Sequence, residues 1–421
     1  MAGSRIVSSS LALGAVLAGS ASAAFAGGFA IGTQSGSGTG NAFAGGAAAA
    51  EDAGVAWYNP AGMSLLPAGR HVSLAAHLLK PSFKFRDEGS SGAFAAPGTG
   101  EGGDGGDWAL VPNGHFTTDM GARWRFGFAV TVPFGLKTEY DDGWRGQLTG
   151  LKSEIKTVNL NPSLAYELSN AVSIGAGVSV QHIDAELTSL ALGPLGISTL
   201  EADDVGYGFN LGIMVQATPT TRIGATYRST IKYQLEGDAS FSALPAGNAQ
   251  VRADLKVPDS ASLSVFSVAG PKWELMADVT WTGWSSVKRL DVICASVSAV
   301  CPAAGSTLSA LAFNWKDTWR LGVGANYLLD SRTKLRFGVA RDETPTNDVD
   351  RSPRLPDQDR TWIAFGVQHR LSKAGVLDAG YAHEFVRDAR VNTSVPPAPG
   401  ALTGSFENRA DILSVQYSHS F

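Results

Sequence analysis

The last nine residues, Leu413-Ser-Val-Gln-Tyr-Ser-His-Ser-Phe421, decide the fold class. The apolar Leu413, Val415, Tyr417 and Phe421 are separated by polar residues, mostly serine. A β-strand places successive side chains on opposite faces, so this segment predicts a strand with one apolar and one polar face. A strand of this kind with a C-terminal aromatic residue is typical of how bacterial outer-membrane β-barrels end. A strand of a soluble β-sandwich shows the same alternation, so the rest of the chain has to separate the two.

The first 26 residues predict a secretory signal peptide. Arg5 is their only charge, the apolar stretch over residues 11–17 is too short to span a bilayer, and small residues follow it. This order is typical of a leader that is removed from the mature protein. We expect cleavage after Ala26, with Ala23 or Ala24 as alternatives.

The composition excludes a helical membrane protein. No run of about 18 apolar residues follows the leader, although 44% of the chain is hydrophobic and its mean hydropathy is +0.02. Only every second residue of a barrel strand faces lipid, which gives a mean near zero. The net charge of −5 offers no basic surface for a nucleic acid.

The chain from residue 70 to its end alternates, in segments separated by six short turns and seven longer connections. Residues 173–181 and 320–329 show a regular period of two, which excludes helices there. Six turns and seven loops join fourteen strands. The predicted fold class is therefore an all-β membrane protein, a 14-stranded antiparallel transmembrane β-barrel with short periplasmic turns and long outer loops. Tyr166 and Tyr327 precede short turns, where interfacial aromatic residues are expected.

Residues 27–69 do not alternate and are rich in glycine and alanine. Among them, Trp57, Tyr58 and Met63 are large and apolar enough to need burial. A fourteen-strand barrel has a lumen too wide for its own inward side chains to fill. We therefore expect residues 27–69 to fold inside the lumen as an N-terminal hatch, or plug, and residues 70–421 to form the barrel. A flexible leader is the alternative.

The remaining chemistry of the chain points away from an enzyme. The two cysteines, Cys294 and Cys301, lie close together, and in an oxidising compartment they predict a local disulfide. A metal site would need more cysteine or histidine nearby, so neither a metal nor a cofactor is expected. The histidines are scattered, and no Gly-x-Ser-x-Gly motif is present.

The hatch segment closely resembles that of the FadL family of outer-membrane transporters for hydrophobic compounds. The similarity lies in the glycine-rich start, Glu51-Asp-Ala-Gly54 and Asn59-Pro60-Ala61. Further blocks follow in the family's order, so that the resemblance covers almost the whole mature chain. These blocks are Val111-Pro-Asn-Gly-His-Phe116, Thr226-Tyr-Arg-Ser229, Asp254-Leu-Lys-Val-Pro258, Trp315-Lys-Asp-Thr-Trp-Arg320 and Leu355-Pro-Asp-Gln-Asp-Arg360.

The resemblance implies a monomeric, plugged barrel in a Gram-negative outer membrane, with membrane lipid and lipopolysaccharide as its surroundings. Such a barrel takes up long-chain fatty acids or aromatic hydrocarbons through an apolar pocket. Burying the ligand's apolar surface stabilises the bound state by roughly 25 cal/mol per Å². The hatch then rearranges, and the ligand leaves sideways into the membrane. A general diffusion porin and a structural or adhesive barrel without ligand specificity are the alternatives.

The resemblance also assigns roles within the hatch and the third strand. Asn59-Pro60-Ala61 is expected to shape a hatch turn. Independently of the resemblance, Glu51 and Asp52 are expected to tether the hatch to basic wall residues such as Arg228 or Lys232, because counting by two places both on the lumen face of their strand. Pro133-Phe134-Gly135 matches the family's third-strand kink, the site of lateral opening, because proline cannot donate a ladder hydrogen bond. The alternative is that Pro133 simply ends the strand at a loop.

The ligand-recognising positions depart from the fatty-acid members. Two positions that hold basic residues there align with Ser189 and Leu311. Lys316 or Arg320 could instead contact a ligand carboxylate. The apparent loss of the two basic residues weakens the fatty-acid assignment and leaves a neutral substrate, such as an aromatic hydrocarbon, as the alternative.

Overall fold

The computed structural model describes residues 27–97 and 99–421. The predicted signal peptide, residues 1–26, lies outside this range. Among the described residues, no helix has the length and apolar character needed to cross a membrane.

Twenty antiparallel β-strands form one continuous sheet. The strands are β1 Arg70–Asp87, β2 Ala109–Asp119, β3 Trp124–Thr131, β4 Gly135–Glu139, β5 Lys152–Ser169, β6 Val172–Leu190, β7 Ile197–Gln216, β8 Thr221–Arg228, β9 Ile231–Phe241, β10 Ala249–Val257, β11 Ser260–Ala269, β12 Trp273–Thr282, β13 Arg289–Cys294, β14 Thr307–Ala312, β15 Thr318–Leu328, β16 Thr333–Asp342, β17 Arg360–Arg370, β18 Gly375–Val386, β19 Ala389–Thr393 and β20 Leu402–Ser420.

Six pairs of these strands are two parts of one interrupted barrel strand: β3/β4, β8/β9, β10/β11, β12/β13, β14/β15 and β18/β19. Twenty segments minus six interruptions give fourteen barrel strands. Residues of β1 pair with both β2 and β20, so the sheet is closed. The predicted 14-stranded antiparallel barrel is confirmed.

The C-terminal strand has the predicted two faces. Leu413, Val415 and Tyr417 are exposed on the outside of the barrel, while Ser414 and Gln416 are fully buried inside it. Aromatic pairs occupy the rim with the short turns, with ring centroids 4.7 Å apart for Trp124–Tyr166 and 4.9 Å apart for Trp273–Tyr327. This is where an interfacial belt belongs.

Two outer connections are shorter than the sequence predicts, because the strands continue above the membrane. The connection expected near residues 81–107 begins only after Asp87, since Pro81, Ser82 and Phe83 are all buried and break the alternation. The one expected near residues 289–314 contains the β13–β14 hairpin. A disulfide between Cys294 and Cys301 lies at the tip of this hairpin.

The hatch consists of short helical turns inside the barrel. Three α-helical turns, α1 Gly36–Thr39, α2 Gly46–Ala49 and α3 Val55–Tyr58, precede a 3₁₀ helix at Pro60–Leu65. Three further 3₁₀ turns, Gly92–Ala95, Pro245–Gly247 and Trp284–Ser286, lie outside the hatch. Hatch residues contact strands around most of the lumen, including β5–β8, β11, β17, β18 and β20. The hatch therefore fills the lumen below the outer loops, toward the periplasmic end of the barrel.

Candidate functional site

Asn59 joins two parts of the hatch and fixes them to the wall. Its side-chain oxygen accepts from the Ala61 N–H at 3.1 Å, which caps the 3₁₀ helix that Pro60 begins. Its amide donates to the carbonyl oxygens of Ala47 (2.8 Å) and Ile213 (3.0 Å). One buried side chain thus connects α2, the 3₁₀ helix and β7.

Glycines of the wall allow this close approach. A Cβ atom at Gly212 would collide with Asn59 Oδ1, and one at Gly175 would collide with the Ala61 backbone nitrogen. Both glycines occupy inward positions of their strands, where only hydrogen leaves room for another backbone. The Asn59-Pro60-Ala61 motif therefore fits against a complementary patch of the wall.

Arginines of the wall hold the hatch through its backbone carbonyls. Arg228 donates to Trp57 O at 2.9 Å, and its guanidinium lies 3.5 Å from the centre of the Trp57 ring. Arg222 donates to Ala49 O in the same way. The prediction that Arg228 would hold a hatch carboxylate is wrong, because its hatch partner is a carbonyl.

Lys232, the other proposed tether, lies on the outside of the barrel. The wall is interrupted between Arg228 and Ile231, and this break reverses which residues face inward. Ile231 and Tyr233 are buried, while Lys232 is exposed. The sequence analysis assumed an unbroken alternation from Arg228 to Lys232 and therefore predicted that Lys232 faces the lumen, which is wrong.

Glu51 is the charged link between hatch and wall. Its carboxylate pairs with Lys334 at 3.0 Å and with Arg336 at 2.7 Å. Burial alone would raise the pKa of Glu51, but these two cations lower it well below its ordinary value. Asp52 forms no ion pair with any residue that the structure describes; it accepts from Ser37 at 2.7 Å and from Gln416 at 2.8 Å.

The third barrel strand is interrupted at Pro133-Phe134-Gly135. β3 pairs with β2 only as far as Val130, opposite Gly114, and β4 pairs only with β5. Residues 109–113 of β2 pair only with β1. The wall therefore lacks ladder hydrogen bonds between β2 and β4.

The N-terminal residues of the hatch occupy this interruption from inside. The Ile31 N–H donates to Pro133 O, and the Gly135 N–H donates to Phe29 O, both at 2.8 Å. Gln34 extends the contact, since its amide donates to Val132 O at 2.7 Å. Residues 29–34, named here the gate segment, thus satisfy backbone groups that a neighbouring strand would otherwise satisfy.

A groove of about 920 Å³ lies among the outer loops. Apolar side chains make up much of its lining, among them Leu187, Leu195, Leu308, Leu311 and Val395, and polar residues that include Asp350 and Arg354 make up most of the rest. This lining can remove an apolar ligand from water without polar partners.

A smaller apolar cavity of about 70 Å³ lies beneath the groove and shares Leu187, Leu311, Phe313 and Arg354 with it. Its floor includes Phe29 of the gate segment. A cavity of about 150 Å³ is known to hold benzene. At less than half that size, the inner cavity is too small for such a ligand, so side chains must move before one enters.

A central cavity of about 240 Å³ lies on the other side of the gate segment. Ala30, Ile31, Pro133 and Phe134 form one part of its lining. The opposite part is polar, with serine and threonine hydroxyls of β8, β11, β12 and β15 and the side chain of Arg320. The gate segment therefore separates an apolar cavity from a more polar one.

Phe29 lies at this boundary within an aromatic cluster. Its ring centroid is 5.1 Å from that of Trp284, 5.6 Å from Phe134 and 5.8 Å from Trp315. Aromatic contacts of this kind contribute about 0.5–1.5 kcal/mol each beyond burial. The cluster thus holds the gate segment against the strand interruption.

Ser189 and Leu311 both line the outer groove, as the alignment implies, but neither is basic. Lys316 is exposed and lines neither the groove nor the two cavities. Arg320 lines the central cavity, where it pairs with Asp278 and donates to Ala42 O. The structure therefore does not place these two basic residues together.

The basic residue that the sequence analysis missed is Arg354. It lines both the groove and the inner cavity, and it donates to Lys152 O at 3.2 Å and to Ser153 Oγ at 2.9 Å. Its buried Nε has no partner among the described residues. Burial lowers the pKa of Arg354 to about 10, so the side chain remains a cation at neutral pH. The sequence feature that could have indicated Arg354 is its position directly before the Leu355-to-Arg360 block of the family resemblance.

A comparison with known families now bears on this architecture. The sequence model of the family described as outer membrane protein transport protein (OMPP1/FadL/TodX) matches residues 16–421. The chain belongs to this family.

Individual relatives agree with the assignment. The long-chain fatty acid transport protein of Escherichia coli K12 is 26% identical, over 94% of this chain and 95% of its own. The crystal structure of a FadL homologue from Pseudomonas aeruginosa has a TM-score of 0.84 and 25% identity, over 94% of this chain and 100% of that one. The Ralstonia pickettii toluene transporter TbuX shares the fold, with a TM-score of 0.65 and 19% identity over 92% and 98% of the chains. This FadL-family chain is an outer-membrane protein for the transport of hydrophobic compounds.

Proposed function

We propose that this protein carries long-chain fatty acids from the outer surface, through the apolar groove and cavity, to a lateral exit between β2 and β4. The observation that carries the proposal is the gate segment. Phe29 lines the apolar cavity, and its backbone carbonyl accepts from the Gly135 N–H at the interruption in the wall. A ligand that moves Phe29 therefore acts on both the binding site and the exit.

Capture begins in the outer groove. Its apolar side chains replace water at the ligand surface, worth roughly 25 cal/mol for each Å² of apolar area buried. The groove and the inner cavity share residues, so a chain molecule can pass between them without returning to water once these side chains move.

Release requires that the apolar site be changed by the ligand itself. Entry into the inner cavity displaces Phe29 from Trp284, Phe134 and Trp315. Because Phe29 O accepts from the Gly135 N–H, that movement breaks the backbone contact at the strand interruption. The central cavity then receives the ligand beside the exit.

Arg354 supports a fatty acid as the ligand. A guanidinium next to an apolar cavity can form charge-assisted hydrogen bonds with a carboxylate. Its Nε, which has no hydrogen-bond partner in the described part of the chain, supplies a donor that such a ligand would satisfy. The Escherichia coli relative is named for long-chain fatty acid transport, which fits the same substrate class.

Competition binding tests the substrate class directly. Purified protein is loaded with a fluorescent fatty acid, which is then displaced by oleate, by methyl oleate or by toluene. The proposal expects oleate to bind at least about ten times more tightly than its methyl ester. Equal displacement by oleate and its ester, with strong displacement by toluene, would contradict it and assign a neutral hydrocarbon.

We propose further that the protein acts as a monomer in contact with lipopolysaccharide. A plugged barrel should conduct little current in a planar bilayer. A large, steady conductance in that measurement would instead indicate a general diffusion porin.

A further inference from the structure

A row of basic side chains faces outward on β9 and β10, just beyond the wall interruption between Arg228 and Ile231. Lys232 on β9 lies directly opposite Lys256 on β10, and both are exposed. Their sequence neighbours Ile231, Tyr233 and Leu255 are buried inside the barrel. The two ammonium groups therefore project from the same level of the outer wall.

The level of this row is given by the neighbouring strand β7. Leu211, Phe209, Tyr207 and Val205 form its exposed apolar face. Tyr207 is 68% exposed, and the adjacent Gly206 packs against the backbone of Lys232. Lys232 therefore lies beside a tyrosine of the outer interface, where aromatic side chains meet lipid headgroups.

Farther from the membrane on the same strands, the outward residues are mostly acidic or neutral. On β9 the outward positions after Lys232 are Gln234, Glu236 and Asp238. On β10, Asp254 and Arg252 follow Lys256 outward. The two lysines thus form a separate first polar layer, directly above the apolar band.

The next strand extends this layer. β13 pairs antiparallel with β10, with Arg252 opposite Ile293. If this register is continued by four residues toward the membrane, Lys256 of β10 lies opposite Arg289 of β13. The side chain of Arg289 is 58% exposed. We call Lys232, Lys256 and Arg289 the outer basic row.

The charge of this row is incompletely balanced. Arg289 pairs with Asp291, but neither lysine has an ion pair with any residue that the structure describes. The nearby Asp259 accepts from the Tyr227 hydroxyl at 3.0 Å. Like charges directly opposite each other on neighbouring strands are destabilising, so an external anion at this level would stabilise the pair.

We infer that the outer basic row binds a phosphate group of lipid A, the phosphorylated glycolipid part of lipopolysaccharide. Its acyl chains would lie against the apolar face of β7, and its phosphate would accept hydrogen bonds from Lys232 and Lys256. This site lies on the outside of the barrel and does not depend on the transport route proposed above.

Native mass spectrometry of the full mature protein tests the inference. The probes are bisphosphorylated lipid A, dephosphorylated lipid A and inorganic phosphate. The test variant carries Lys232→Gln with Lys256→Gln. The matched control carries Lys272→Gln with Arg332→Gln, which removes two exposed charges at the periplasmic turns.

We expect the test variant to lose at least about tenfold in affinity for bisphosphorylated lipid A, and the control to stay within about twofold of wild type. Wild type should bind dephosphorylated lipid A as weakly as the test variant binds the phosphorylated form. Unchanged lipid A binding by the test variant would overturn the inference. So would wild-type binding of inorganic phosphate as tight as that of lipid A, because the site would then recognise a free anion. Unchanged fatty-acid displacement by the test variant shows that it is folded.

Discussion

Arg354 determines the substrate class in the proposed mechanism. It is the basic residue shared by the groove and the inner cavity, and its Nε lacks a partner among the described residues. A hydrogen bond between charged groups contributes about 1.5–3 kcal/mol. The strength of oleate binding should therefore depend on this one side chain.

Replacing Arg354→Gln should weaken oleate binding about tenfold or more and leave methyl oleate unchanged, because only the carboxylate loses its partner. Fluorescent displacement measures both ligands. Lys316→Gln is the matched control, since it removes an exposed charge that lines none of the cavities. Equal losses for oleate and its ester would mean that Arg354 supports the fold of the groove rather than the carboxylate.

The same contact predicts a dependence on pH. Arg354 has a lowered pKa of about 10, so it stays charged between about pH 4 and 8. We therefore expect the loss of oleate affinity as the pH falls through this range to follow protonation of the ligand carboxylate rather than a change in Arg354. The preference for oleate over methyl oleate should disappear toward low pH in wild type. It should be absent at every pH in Arg354→Gln, and a preference retained at low pH would contradict this.

Glu51 is the residue that should decide how firmly the hatch is held. Glu51→Gln removes the charge facing Arg336 and Lys334 and should cost about 1.5–3 kcal/mol of hatch attachment. Current recordings in planar bilayers should then show more frequent openings. Glu201→Gln, an exposed change on β7, should behave as wild type. Identical recordings for all three proteins would show that Glu51 does not hold the hatch.

At the level of elements, the proposed lateral exit depends on the interruption of the third barrel strand. Replacing Pro133→Thr with Gly135→Val allows β3 to continue as a regular strand, because threonine supplies the N–H that proline lacks. Uptake of oleate into cells should fall strongly, while binding to purified protein stays near wild type. Pro219→Thr, in an exposed periplasmic turn, is the control. Normal uptake by a folded double variant would exclude exit at this interruption.

Sequence alternation predicts the strands well where one face meets lipid and the other meets the lumen. It fails above the membrane, where both faces of β1 are packed and Pro81, Ser82 and Phe83 are all buried. It also fails across interruptions. The break between Arg228 and Ile231 reverses the inward positions, so Lys232 is exposed although the count by two places it inside.

The candidate site was only partly predictable for a related reason. The resemblance points to Asn59 and to Pro133, but the contacts between the gate segment and the interruption join residues about 100 positions apart, such as Gln34 and Val132. Arg354 lies in a loop without alternation, so no periodicity indicates that its side chain lines the groove.

For the whole molecule, a closed wall is combined with a place, between β2 and β4, where neighbouring strand segments share no ladder pairing. The closure between β1 and β20 is extensive, with pairing from His71 to Asp87, whereas β10 and β13 pair through two residues each. The hatch is attached through Asn59, Glu51 and several wall arginines. Movement during transport is therefore expected in the gate segment rather than in the entire hatch.

A reversible cross-link of the gate segment to the interruption tests this account most directly. Ala30 and Phe134 are antiparallel bridge partners, whose Cα atoms are typically about 4.5–5.5 Å apart, within the range for a disulfide. In the variant Ala30→Cys with Phe134→Cys, oleate uptake should stop under oxidising conditions and return on reduction, with oleate binding retained in the outer groove. The reduced protein is its own control for the loss of Phe134. Full uptake by the oxidised, cross-linked barrel would contradict lateral exit through this gate.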